Sequence, residues 1–152
     1  MAYLAIVDDN DAWCFSMTHF LQQYGHTATS FTDTDRFLRE ADRFDLALID
    51  FSMPPRRYQK ETDGPDIIRK VKEQFPRSPI LVLISSYFTP DVLQDIPLIC
   101  PQADACFCKG TPPQELVQQI NRLLQIGPSH VREYSRSFGS IRDARDARVV
   151  GN

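Results

Sequence analysis

Leu46-Ala47-Leu48-Ile49-Asp50 is an unbroken apolar run that stops at a carboxylate. Two other stretches repeat the arrangement: Leu4-Ala5-Ile6-Val7 runs into Asp8-Asp9, and Ile80-Leu81-Val82-Leu83-Ile84 runs into Ser85-Ser86. Continuous apolar runs of this length, bounded by turn residues and separated by helix-like segments, read as strands buried on both faces of a parallel sheet. Such sheets bind ligands at the carboxyl ends of their strands. Side by side, the three strands would bring together carboxylates and hydroxyls that lie far apart in sequence, groups able to handle phosphate and a divalent metal.

The intervening segments support this reading. Trp13, Phe15, Met17, Phe20, Leu21 and Tyr24 fit a helix that Gly25 ends, as glycine often does just past a helix. Thr27 to Phe31 reads as a short strand, and Thr32 or Asp33 can cap a second helix carrying Phe37, Leu38 and Ala41. Phe51 to Asp63, with Pro54, Pro55, Arg56, Arg57 and Lys60, reads as a long exposed loop. Gly64-Pro65 opens a helix with Ile67, Ile68, Val71 and Phe75, since proline suits a first helical turn. Pro90, Pro97 and Pro101 leave room for one short helix around Asp91 to Ile96. Ala103 to Lys109 reads as a fifth strand, and Pro112 begins a last helix with Leu116, Val117, Ile120, Leu123 and Leu124, stopped by Gly127-Pro128. Alternating strands and helices predict an α/β domain with a five-stranded parallel sheet, doubly wound by right-handed crossovers.

Composition narrows the function classes. A chain of 152 residues suffices for one domain with a full core. With 17 basic and 20 acidic residues, net charge -3, neither nucleic acid nor an anionic membrane is an expected partner. No segment approaches the roughly 20 apolar residues of a membrane-spanning helix, and Met1-Ala2-Tyr3 leads straight into a strand, so a cytoplasmic location is expected. Cys14, Cys100, Cys106 and Cys108 read as small apolar residues, because His19, His26 and His130 show no metal-type spacing with them. Residues 128–152 carry five arginines against three acids, a net +2, and read as a flexible basic tail behind a domain at 1–127.

Across residues 3–126 this pattern resembles the receiver domains of two-component response regulators. The resemblance rests on an acidic pair after the first strand (Asp8, Asp9), an aspartate ending the third (Asp50) with Met53-Pro54 beyond it, a hydroxyl ending the fourth (Ser85) and a lysine ending the fifth (Lys109). Alone, each is a common cap, turn or strand-end residue; their order makes the set specific. The resemblance implies a flavodoxin-like fold and a phosphoryl group taken up on Asp50 from a sensor histidine kinase or histidine phosphotransfer protein. It also implies Mg2+ held by Asp9, Asp50 and the Ser52 carbonyl, with Asp8 in or beside that ligand shell. Lys109 and Ser85 would meet the phosphoryl oxygens, and the signal would pass to a downstream protein by contact rather than through enzyme turnover.

Three departures from the family concern output. The loop between Asp50 and Gly64 is longer than usual and carries added charge. Gly110 follows Lys109 where receivers generally place a proline that sets the lysine's geometry. The usual position of a switch aromatic falls on Cys106, with Phe107 facing the other way, and the Pro90 to Pro101 segment belongs to the same output face. These features keep open a receiver-like interaction module that works without phosphorylation. An aspartate-nucleophile phosphohydrolase ranks last, since it would want an acid where Ser52 stands.

Overall fold

A computed structural model describes residues 1–52, 63–86 and 100–128. Its elements are β1 (Tyr3–Val7), α1 (Asp11–Gln23), β2 (Thr27–Phe31), α2 (Thr34–Glu40) with a 3-10 turn at Ala41–Arg43, and β3 (Leu46–Asp50). After these come α3 (Gly64–Gln74), β4 (Ile80–Ser85), β5 (Ala105–Cys108) and α4 (Pro113–Ile126). The Met53 to Thr62 part of the long loop, the segment at 87–99 and the tail at 129–152 lie outside the described residues.

The five strands form one sheet in the order β2-β1-β3-β4-β5, every pair parallel. The three apolar runs become its central strands, and β3 and β4 are buried at every position. Such strands need cover on both faces, and alternate residues supply it. Leu4, Ile6, Leu46, Leu48, Ile80, Val82 and Ile84 share a cluster with Cys14, Met17 and Leu21 of α1 and with Leu116, Val117, Ile120 and Leu123 of α4. Their neighbours Ala5, Val7, Ala47, Ile49, Leu81 and Leu83 pack with Phe37 of α2 and with Ile67, Ile68 and Val71 of α3. The domain is doubly wound, as the strand and helix pattern predicts.

Local signals set the element ends. Asn10 caps α1, its side-chain oxygen accepting the Trp13 N–H at 3.1 Å. Asp33, one of the two expected candidates, caps α2 by accepting the Asp35 N–H at 2.9 Å. Gly25, with φ 85°, makes the left-handed turn after α1 that a side chain would resist. The fifth strand is shorter than Ala103 to Lys109, because Asp104 is spent on a different task. Its buried carboxylate accepts the Leu81 N–H at 2.9 Å and pairs with Lys72 at 3.1 Å, tying the start of β5 to β4 and α3.

Candidate functional site

The winding of the sheet reverses at β1 and β3, neighbours whose connections leave in opposite directions; β3 ends in Asp50, and Asp8 follows directly after β1. Strand pleating sends alternate side chains to opposite faces. Leu4, Ile6, Leu46, Leu48, Ala105 and Phe107 face α1 and α4. Continuing that alternation to the strand ends puts Asp8, Asp50 and Lys109 on the same side. The contacts agree: Lys109 Nζ lies 2.5 Å from Asp8 Oδ2 and 3.5 Å from Asp50 Oδ1. Asp9 completes the group, with one carboxylate oxygen from each of Asp8, Asp9 and Asp50 lying within 4.8 Å of the others.

Burial makes this cluster electrostatically demanding. Asp8 is 0% and Asp50 7% exposed, while Asp9 faces solvent. Desolvation, followed by the charge of Asp8, pushes the Asp50 carboxyl up to about 6, against the opposing pull of Lys109. Burial by itself would depress the Lys109 ammonium, but the Asp8 and Asp50 carboxylates outweigh it and hold the pKa above its ordinary value. Among the described residues, two buried carboxylates beside a third, with one ammonium among them, leave an excess of negative charge. A cation would relieve it. Three carboxylates with no soft ligand form a hard-oxygen donor set that suits Mg2+, and the exposed Asp9 side leaves room for the waters that ion retains.

The sequence matches the response regulator receiver domain family over residues 4–121. The chain belongs to that family. No curated protein sequence matches it, but solved receivers share its fold. One is the BeF3-activated N-terminal receiver domain of Klebsiella pneumoniae RstA, 22% identical with TM-score 0.64 over 80% of this chain and 97% of that one. A CheY-like receiver from Methanospirillum hungatei is 21% identical with TM-score 0.65, covering 82% and 94%. Vibrio cholerae chemotaxis regulator CheY4 is 23% identical with TM-score 0.65, covering 80% and 98%.

Ser85 is 1% exposed and one residue past Ile84, the register partner of Asp50; its carbonyl accepts the Lys109 N–H at 3.1 Å. Ser52 is exposed two residues beyond Asp50. The loop starting there is tethered by the Phe51 N–H to Ile84 O at 2.9 Å and by the Gly64 N–H to Phe51 O at 3.0 Å. Cys106 is half-buried and packs toward α3, where burial pushes its thiol up to about 12, while Phe107 packs on the opposite cluster, facing away from it as the strand alternation predicts. Reading Trp13 only as a helix core residue misses its second role: its ring lies under Lys109 Nζ, 4.7 Å from the centroid. An aromatic one turn after an acidic pair, on the helix that roofs the site, was the available signal.

Proposed function

We propose that this receiver accepts a phosphoryl group on Asp50 from the phosphohistidine of a sensor histidine kinase or a histidine phosphotransfer protein, in the cytoplasm, and signals by contact with a downstream protein. The observation that carries the reading is the convergence of Asp8, Asp9 and Asp50 with the Lys109 ammonium set between two of them. Asp50 is the acceptor because its carboxylate stands at the end of the central β3, in contact with Lys109 and close to both other acids.

In the transfer, an Asp50 carboxylate oxygen bonds to phosphorus as the donor's P–N bond breaks, and the imidazole leaves with the electron pair and takes up a proton. Asp8, Asp9, Asp50 and the Ser52 carbonyl would hold Mg2+, which would supply positive charge to offset repulsion between the carboxylate and the phosphoryl oxygens. Lys109 exchanges its carboxylate partners for a phosphoryl oxygen, and the Ser85 hydroxyl donates to another. The protein positions and neutralises, as phosphoryl transfer generally requires. It acts as phosphoacceptor, losing the group by hydrolysis, and is not an enzyme acting on an external substrate. Cys106 and Phe107 belong to the output region, where a cysteine is too short for the swing a switch aromatic makes.

Intact mass after incubation with acetyl phosphate and Mg2+ tests this. One added phosphoryl group on the wild type, absent in Asp50→Asn, is the expected result. No adduct on either protein would favour the phosphorylation-independent interaction module, and rapid multiple turnover of the donor would favour a hydrolase.

A further inference from the structure

Lys109 is followed by an exposed glycine, Gly110, so the backbone beyond it contributes little rigidity. The ammonium is nevertheless nearly enclosed, its side chain 14% exposed. Among the described residues three groups surround it: the Asp8 carboxylate, the Asp50 carboxylate and the face of Trp13, the only tryptophan of the chain. Asp8 and Trp13 are themselves joined. Asp8 Oδ1 accepts the Asn10 N–H at 2.9 Å, and Asn10 Oδ1 accepts the Trp13 N–H at 3.1 Å. The capping residue of α1 thus ties the Trp13 backbone to the same carboxylate whose other oxygen binds the lysine. Trp13 also rests on the cluster beneath α1, which limits its own movement.

The geometry points to Trp13 as a positioning residue for Lys109, holding the ammonium over the acidic group with an aromatic face and so doing part of the work a proline after the lysine would do. This inference rests on the phosphoacceptor reading of Asp50. A cation over an indole is attracted by the ring's negative face, more strongly where water is excluded. The carboxylates can be neutralised by a metal or engaged by a phosphoryl group, and their hold on the lysine then weakens. The indole carries no charge to be neutralised, and so keeps the ammonium near the reacting oxygens at the moment of transfer. Without it, the lysine samples positions from which it cannot reach the phosphoryl group.

The test compares the full-length wild type with Trp13→Leu and Trp13→Phe, each alone and with Lys109→Met. The readouts are the phosphorylation rate at saturating Mg2+ and acetyl phosphate, the Mg2+ dissociation constant by calorimetry, and the melting temperature. Trp13→Leu should slow phosphorylation about three- to tenfold while leaving Mg2+ affinity within about twofold. Trp13→Phe, which keeps an aromatic face, should recover most of the rate. On the Lys109→Met background Trp13→Leu should add almost nothing, because the two residues act as one unit. A Trp13→Leu rate equal to wild type, a defect that adds fully to that of Lys109→Met, or a rate that follows melting temperature in both Trp13 variants would overturn the inference and leave Asp50 as acceptor. No phosphorylation of the wild type itself would overturn both.

Discussion

Replacing Asp50 with asparagine should make the metal-free protein more stable, although it removes the proposed acceptor. The folded environment lifts the Asp50 carboxyl from 3.8 to about 6, chiefly through desolvation and the Asp8 charge. A tenfold change in proton affinity is worth about 1.4 kcal/mol, so ionised Asp50 weakens the fold by up to roughly 3 kcal/mol at neutral pH. Asparagine keeps the shape and drops the charge, and a gain of about 1–3 kcal/mol is expected, near 4 °C per kcal/mol for a domain of this size. The sign with pH follows from proton uptake. Below about pH 4 both folded and unfolded carboxyls are protonated and the two proteins should match; between about 4 and 6 the folded state binds more protons, so wild-type stability falls relative to the variant as pH rises. Urea denaturation in EDTA across this window, followed by circular dichroism, reads the gap directly. A variant equal to or weaker than wild type at neutral pH, or a gap that stays constant across the window, would refute the argument.

Mg2+ should close most or all of that gap: at about 100 times its dissociation constant it should stabilise the wild type by about 2.7 kcal/mol, and Asp9→Asn or Asp50→Asn should lose most of this gain in a thermal-shift titration. Gly64→Ala should destabilise by about 1–3 kcal/mol, measured by denaturant unfolding, since a Cβ there would run into the Asp50 carbonyl and stand 2.8 Å from Leu83 Cδ1. That substitution should also slow phosphorylation by displacing the end of β3. Asp104→Ala should lower stability by about 3 kcal/mol, because it strands the Lys72 ammonium and the Leu81 N–H that its buried carboxylate now satisfies; an effect below about 0.5 kcal/mol in urea unfolding would contradict that role.

The central strands were legible because burial on both faces leaves short continuous apolar runs, which their length and flanking turn residues separate from buried helix. β1, β3 and β4 lie where their apolar runs do, and the acids at the ends of β1 and β3 follow from strand register alone. The lysine was harder. Lys109 reaches Asp8 and Asp50 only because β5 joins the sheet edge in the right register, which one strand's composition does not state. Asp104 looked like part of a strand, but its contacts with Leu81 and Lys72 are set by tertiary packing. Trp13 was hidden for another reason: an aromatic on a helix beside Met17 and Leu21 satisfies the core pattern whether or not a cation lies over its outer face.

Trapping the acyl phosphate with borohydride is the most direct measurement of the central claim. Wild-type protein incubated with a phosphohistidine donor and Mg2+, then reduced and digested, should yield homoserine at position 50 and aspartate unchanged at positions 8 and 9. Homoserine at position 8 or 9, or no reduced residue while the donor's phosphate is consumed, would contradict the assignment of Asp50.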